Sequence, residues 1–231
     1  MARVAGTAQS TLPTGVSDAS GSTIRTSPRR DLYVMPVGTG FCGPAMEGTY
    51  FRSVNPTPGT GIASAVTTAF SATAGILTVR NTSSVTGAQA VNIYPDYIKL
   101  LVLSGGTGGT SVDALVAIDN TNRYASGGTS LAGRNVHSLY TANTSVASSF
   151  IGAVVSAVET ANVARVSRVR LKSAVPAAGD NYMINFGSNG VSQADCGPVV
   201  IGPGGTMVVH LWMPSSTVAL TVECELGWWE R

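Results

Sequence analysis

The sequence predicts an all-β protein: an antiparallel, jelly-roll-like β-sandwich at residues 49–231, preceded by an extended N-terminal arm at residues 1–48. Three observations predict this fold class. Short apolar or alternating runs recur along residues 49–231, and Gly, Pro, Ser and Thr separate these runs. No segment of ten or more residues shows a helical stripe with caps, although residues 149–166, rich in Ala and Val, could contain a helix.

Eight or nine strand candidates follow one another at intervals typical of a sandwich. In the strongest, residues 91–103, Pro95 cannot donate a ladder hydrogen bond and therefore indicates a bulge or an edge position. The last candidate, residues 218–228, places its apolar side chains on one face and Glu223 and Glu225 on the other. The remaining candidates are 74–80, 111–119, 150–158, 163–172, 181–186, 199–201 and 206–213, with a long irregular loop at 123–148.

Two of these candidates, residues 199–201 and 206–213, flank Gly202-Pro-Gly-Gly205. A short run of turn-forming residues between two apolar runs predicts a β-hairpin.

The arm is rich in Gly, Pro, Ser and Thr and has few large apolar side chains. Such a segment cannot alone bury enough apolar surface to offset the entropy of ordering it. We therefore expect the arm to lie on a surface, either that of its own domain or that of a neighbouring subunit. Deletion of residues 1–40 is then expected to leave the β-domain folded while weakening attachment.

The composition predicts a protein that works in an assembly. Charged residues make up 11% of the chain, against about 25% in an average soluble domain. A free monomer normally carries more charge, so we expect other subunits to cover much of the surface. The net charge of +2 is too small to argue for nucleic acid by itself.

Three cysteines, an odd number without a C-x-x-C spacing, argue against a disulfide framework and against a zinc site. A Cys196–Cys224 bridge is conceivable, but reduced core thiols are favoured. No signal-peptide run and no stretch of ~20 apolar residues is visible. We expect a soluble protein made in the cytoplasm, without membrane contact.

No constellation of residues indicates catalysis, a cofactor or a metal, so we expect a non-enzymatic protein. His210 lies in an apolar strand candidate and is expected to be hydrogen-bonded locally, while His137 is expected in a solvated loop. Glu223 and Glu225 are close enough to share a cation, but a solvated strand face explains them without a ligand and is the favoured interpretation.

Arginine and tryptophan supply the candidate interface residues. Arg165, Arg168 and Arg170 interleave with apolar residues in one strand candidate, and Arg29 and Arg30 form a second basic cluster in the arm. We expect these arginines to pair with carboxylates of other subunits, since arginine tolerates interface burial well. Two adjacent indoles, those of Trp228 and Trp229, point to opposite faces of a strand, so one can fill the core while the other anchors a neighbour. The alternative, that both pack within their own domain, stays open.

The low charge, the Thr/Gly/Ala-rich arm, the Ile201-Gly-Pro-Gly-Gly205 segment between two strand candidates and the closing strand resemble virion proteins of tailed bacteriophages. Within that group the chain is most similar in style to jelly-roll decoration (cement) proteins of capsids. The resemblance implies a virion subunit, often a homotrimer, that binds the major capsid protein or other virion proteins and reinforces the shell. It implies neither direct nucleic-acid binding nor a cofactor, and it transfers no functional residue.

Two other readings stay open. A phage neck, tail or fibre component would have the same composition. A carbohydrate-binding β-sandwich module would need exposed aromatic side chains that converge in one groove, and its candidates are Tyr124, Tyr140 and Trp212. An enzyme is the third choice.

Overall fold

The computed structural model describes residues 42–231 except 64–68, 85–89, 106, 156–162, 187–195 and 217. Most of the predicted arm, residues 1–41, therefore lies outside the described residues. Its end forms α1 (Cys42–Met46), a five-residue helix that leads into the first strand. The described part is almost entirely β, which confirms the predicted fold class.

The described strands follow α1 in chain order: β1 (Tyr50–Val54), β2 (Ile62–Ala63), β3 (Gly75–Asn81), β4 (Ile93–Ser104), β5 (Val112–Asp119), β6 (Tyr124–Ser126), β7 (Thr129–Leu131), β8 (Arg134–Asn135), β9 (Ala147–Ile151), β10 (Val154–Val155), β11 (Ala164–Lys172), β12 (Asn181–Asn185), β13 (Thr206–Trp212) and β14 (Thr221–Glu230). A 3-10 turn, Ser138–Tyr140, lies between β8 and β9.

The strands form two main antiparallel sheets. The first has the order β12-β4-β14-β1-β8, with β2 also paired to β14, and the second has the order β11-β5-β13-β3-β9-β7. Strands β6 and β10 form a separate pair. Eight strands build the sandwich: β1, β3, β4, β5, β11, β12, β13 and β14. If these eight strands are numbered one to eight along the chain, their spatial order is 6-3-8-1 in the first sheet and 5-4-7-2 in the second. This is the strand order of a jelly roll.

The core lies between the two sheets and is built from the inward-facing residues of alternating strands. On β14 the predicted alternation is confirmed from Leu220 to Leu226 and extends to Trp228, whereas Val218, which precedes the strand, is 48% exposed. Opposite this face lie apolar side chains of the second sheet: Leu77, Val79, Val112, Ala114, Val116, Met207, Val209 and Leu211.

Pro95 sits beside a bulge in β4, as its missing N–H predicts. Gly227 of β14 faces Tyr97, and the next residue, Trp228, faces Pro95, so Asp96 is the extra residue. Strand β4 as a whole lies between β12 and β14, and its pairing with β12 runs from Tyr97 to Leu101, beyond Pro95. The bulge lets a central strand contain a residue that cannot donate to the ladder.

The predicted hairpin around Gly202–Gly205 is wrong. Ile201 bridges to Ile93 of the first sheet, whereas β13 pairs with β3 and β5 of the second sheet. The segment turns tightly, with the Gly205 N–H donating to the Gly202 carbonyl at 3.0 Å and Gly204 at φ +73°. This Pro-Gly turn carries the chain from one sheet to the other, which the sequence pattern of a hairpin does not distinguish.

Two further expectations are resolved in the described residues. The helix considered for residues 149–166 is not seen there, because β9, β10 and the start of β11 occupy the described parts of this range. The predicted loop at 123–148 contains short strands, β6 to β8, and the single 3-10 turn. Short strands of two or three residues give too little alternation to be recognised in a polar segment.

Cys196 and Cys224 are both thiols rather than a disulfide, as predicted. Burial, with a smaller contribution from the nearby Glu225, raises the pKa of the Cys224 thiol to about 12. Because the thiolate is the reactive form, we expect iodoacetamide at pH 8 to alkylate the half-buried Cys196 and to leave Cys224 unmodified. Mass spectrometry of the native and urea-unfolded protein measures this, and equal labelling of both thiols in the native protein would contradict it.

Candidate functional site

The three arginines of β11 share one face of the second sheet because of a bulge. Arg168 and Arg170 are two residues apart and face the same way, but Arg165, three residues before Arg168, would point to the opposite face in a regular strand. The register shifts between Arg165 and Ser167, so that Val166 is the extra residue. Arg165, Arg168 and Arg170 then lie opposite alternate residues of β5, namely Ala117, Leu115 and Asp113.

The register continues across β13 and places aromatic or polar groups in line with two of the three arginines. Arg170, Asp113 and Trp212 form one cross-strand row, and Arg168, Leu115 and His210 form the next. This is the outer face of the second sheet, because the core is formed by the alternate residues of the same strands. We call the surface formed by Phe70, Asp113, Trp212 and the three arginines the arginine–aromatic face.

Aromatic rings support two of the three guanidinium groups. The Arg168 guanidinium carbon lies 5.5 Å from the centre of the Trp212 ring, and that of Arg165 lies 4.7 Å from the Phe70 ring. Phe70 itself packs edge-on against Trp212 at 5.9 Å between ring centres. Cation–π contacts of this kind hold a guanidinium group over a ring while its N–H groups remain directed sideways.

The third guanidinium group is held by a carboxylate. Arg170 Nε donates to Asp113 Oδ1 at 3.0 Å, and the Ser111 hydroxyl donates to the other carboxylate oxygen at 3.0 Å. Asp113 is 2% exposed, whereas the Arg170 side chain is 56% exposed. For Arg170, therefore, one carboxylate partner lies in the same chain, and the rest of the guanidinium group faces outward.

An open cavity of about 400 Å³ lies at this face. Its lining combines two cations with apolar surface and consists of Ala69, Phe70, Arg165, Arg168, Trp212 and Pro214. Trp212 is 6% exposed, so the cavity floor is aromatic and its rim is cationic. Such a surface fits an anionic group attached to an apolar or extended chain.

No family model, curated protein or solved structure matches this chain. The arginine–aromatic face is therefore interpreted from its own geometry. Within the described ranges no group of three or more metal-ligating side chains converges. No helix among those residues is long and apolar enough to cross a membrane.

The other predicted interface residues have different surroundings. Arg29 and Arg30 lie outside the described residues. Trp228 is 1% exposed and fills the core, so its side chain is not available to a partner. Trp229 is half-buried on the opposite face and stacks on Tyr94 of its own domain, with 3.9 Å between ring centres.

His210 has the local partner that the sequence predicts, whereas His137, expected to be solvated, is half-buried in its loop and has a backbone partner. His210 is 1% exposed, its Nδ1 lies 3.3 Å from the Ala74 carbonyl oxygen, and its ring packs edge-on against Phe70. His137 Nδ1 accepts a hydrogen bond from the Leu139 N–H at 3.1 Å and caps the 3-10 turn. These local contacts account for the positions of both histidine side chains.

A second polar cluster lies on the outer face of the first sheet. The Tyr50 hydroxyl donates to Asp96 Oδ2 at 2.5 Å, the Tyr97 hydroxyl donates to Glu225, and the Arg52 guanidinium carbon lies within 6 Å of both ring centres. Burial raises the pKa of the Tyr50 and Tyr97 hydroxyls and that of the Asp96 carboxyl. Each of these groups has a partner inside the cluster, so the cluster stabilises the sheet face without a ligand.

The carboxylates considered for a cation are also occupied by protein donors. Glu223 accepts a hydrogen bond from the Gly59 N–H, and Glu225 accepts from Tyr97. Glu223 and Glu225 therefore each accept a defined hydrogen bond, and this strand face is not simply solvated.

The three aromatics proposed for sugar binding have separate surroundings. Tyr124 stacks on Phe150, with 4.2 Å between ring centres, and Tyr140 contacts His137. Trp212 is 6% exposed and lies under the Arg168 guanidinium group. Among the described side chains the three rings have different neighbours, so the structure provides no shared groove for them.

Sequence reasoning missed Phe70 and the Arg170–Asp113 pair. Phe70 follows a segment of Ala, Thr and Ser without periodicity, so no pattern marks it. The ion pair depends on the register between β11 and β5, and two bulges shift that register. A correct strand pairing without the bulges would not have placed Arg165 on this face.

Proposed function

We propose that the chain is a non-enzymatic structural subunit of a virus particle, which binds the capsid surface and stabilises the shell through contacts of its arm and β-domain. The arginine–aromatic face is the observation on which the proposal depends. It presents three exposed guanidinium groups on one face of a strand that lies at the end of the sheet order. Their rigid support by Trp212, Phe70 and Asp113 is typical of a surface that binds a partner.

Three further observations support an assembly role. The jelly-roll strand order is common in capsid proteins, although it also occurs in lectins and cupins, so the fold alone does not decide the function. Charged residues make up only 11% of the chain, which leaves little polar surface for a free monomer. Only Lys99 and Lys172 among the 14 basic residues are lysines, and interfaces favour arginine over lysine.

The proposed partners are further copies of the chain, in a trimer, and the major capsid protein or another virion protein. The proposed location is the assembled virion, formed in the host cytoplasm. Light scattering on the purified chain tests the self-association, and a monomer at micromolar concentration would contradict the trimer.

Neutralising the exposed arginines should detach the subunit from the particle without unfolding it. We expect Arg165→Gln combined with Arg168→Gln to lower the copy number per particle by roughly tenfold or more, because two charge-assisted contacts are lost. Quantitative mass spectrometry of purified particles, scaled to the major capsid protein, measures this copy number.

The matched control is Arg134→Gln, which removes one exposed arginine from β8 of the first sheet. This variant should be incorporated normally. Absence of the unmodified chain from purified particles would refute the virion assignment. Normal incorporation of the double variant would refute the role of this face.

A further inference from the structure

The arginine–aromatic face has the geometry of a carboxylate-binding ladder. Successive side chains on one face of a strand are about 6.6 Å apart along the strand. The bulge at Val166 brings Arg165 into line with Arg168 and Arg170, so the three guanidinium groups follow one another along β11. The spacing of the three arginines therefore matches the spacing of alternate side chains on a second extended chain that lies beside β11.

The face already binds one carboxylate. Asp113 accepts a hydrogen bond from Arg170 Nε at 3.0 Å and is itself nearly fully buried. This pair holds Arg170 in place, while ring contacts hold Arg168 and Arg165. Because the side chains are ordered before binding, a carboxylate that docks on them loses less affinity to side-chain entropy. Guanidinium groups that are held in this way favour carboxylates through planar, paired hydrogen bonds.

Building on the proposed function, we infer that the arginine–aromatic face binds an extended acidic segment of a different protein, in which Asp or Glu recurs at every second residue. Alternate side chains of such a segment match the ladder on β11, and the intervening small or apolar side chains face away from it. Its chain passes the cavity that is lined by Phe70, Trp212 and Pro214.

The chain itself does not supply this segment. Of its 12 acidic residues, only Glu223 and Glu225 are two positions apart. Both lie on β14, which is flanked on its two sides by β4 and β1. Their carboxylates already accept hydrogen bonds from the Gly59 N–H and from Tyr97. A second copy of the chain therefore offers no matching extended acidic segment, and the occupant belongs to another protein.

The test uses the full chain and a fluorescein-labelled peptide of five Thr-Glu repeats, with binding followed by fluorescence anisotropy at low and at physiological salt. A peptide with the same residues arranged as a block of five Thr and a block of five Glu has the same charge but not the alternation. A peptide of five Thr-Gln repeats has the alternation but no charge. A labelled ten-nucleotide oligo-thymidylate reports on nucleic acid.

We expect the alternating acidic peptide to bind at least about tenfold more tightly than the neutral peptide and about threefold more tightly than the block peptide. Arg168→Gln should weaken this binding about tenfold, Arg168→Lys should restore it only in part, and Arg134→Gln should leave it unchanged. Far-ultraviolet circular dichroism and thermal unfolding verify that each variant is folded.

Equal binding of the alternating and block peptides would overturn the inference, since net charge alone would then suffice. Binding of the oligo-thymidylate as tight as that of the acidic peptide would overturn it in favour of nucleic acid. If the double arginine variant loses its attachment to particles but the unmodified chain does not bind the alternating peptide, this inference is refuted and the proposed function is left intact. If the chain binds the alternating peptide but is absent from particles, the proposed function is refuted and the binding of an acidic segment stands.

Discussion

Replacing Trp228 with alanine lowers the free energy of unfolding by about 3–5 kcal/mol, the range for deleting a large aromatic side chain from a core. Trp228 is 1% exposed, stacks on Phe51 with 6.0 Å between ring centres, and leaves no room for a side chain at Gly133, where a Cβ would lie 2.8 Å from the indole. Neighbours packed this tightly close only part of the resulting cavity. Equilibrium unfolding in urea measures the change.

The indole N–H adds a polar contribution that a second variant isolates. It donates to the Glu230 carboxylate at 2.9 Å, and the same carboxylate accepts from the Ser145 hydroxyl and the Val146 N–H. Trp228→Phe keeps a ring against Phe51 and removes this donor, so we expect a smaller loss than that of Trp228→Ala.

The neighbouring residue provides the matched control. Trp229 is half-buried and stacks on Tyr94 outside the core, so Trp229→Ala should cost about 1–2 kcal/mol. If Trp229→Ala destabilised the protein as much as Trp228→Ala, the assignment of Trp228 to the core and Trp229 to the outer face would be wrong.

Substituting Gly227 with valine is expected to lower the free energy of unfolding by about 2–3 kcal/mol, a typical cost of overpacking. A Cβ at Gly227 would lie 2.5 Å from the Tyr97 ring and 2.6 Å from the Tyr50 hydroxyl. Both tyrosines would have to move, which would break their hydrogen bonds to Glu225 and Asp96. The position is in β14, the central strand of the first sheet, so the displacement would also reach the core.

Gly202→Ala serves as the control for the loss of a glycine. A Cβ there would meet only the Asn92 side chain, at 3.9 Å, and its φ is not in the positive range. Its stability should change by less than about 0.5 kcal/mol. A thermal shift for Gly227→Val no larger than that of Gly202→Ala would show that the tyrosines move aside without loss.

The fold class and most strand positions could be predicted from the sequence because apolar alternation is a local property. The runs that became β3, β4, β5, β11, β12, β13 and β14 are all either alternating or continuously apolar, and both patterns are local. The failure at Gly202–Gly205 has a different origin: a tight Pro-Gly turn looks the same whether the two strands pair or lie in different sheets. Which strands pair depends on contacts between residues far apart in the chain, and local patterns contain no information on them.

The site was predicted in part. Arginine enrichment in β11 marked Arg165, Arg168 and Arg170, but the strand pattern alone would have divided them between two faces. The bulge at Val166, the ring of Phe70 and the carboxylate of Asp113 complete the surface, and each depends on tertiary register. The sequence predicts that Trp228 and Trp229 point to opposite faces, and they do. Which of the two is buried in the core could not be derived from their being adjacent.

The position of β14 determines when the protein can finish folding during synthesis. This strand lies between β1 and β4, so the gap between those two strands stays open until β14, the last sandwich strand in chain order, has been synthesised. Until then, the apolar inner face of the first sheet has no central strand, and a nascent chain in this condition is prone to associate with other chains. Closure of the sheet therefore waits for synthesis of the last sandwich strand, and mutations in β14 should reduce the yield of soluble protein more than equally buried mutations in β3.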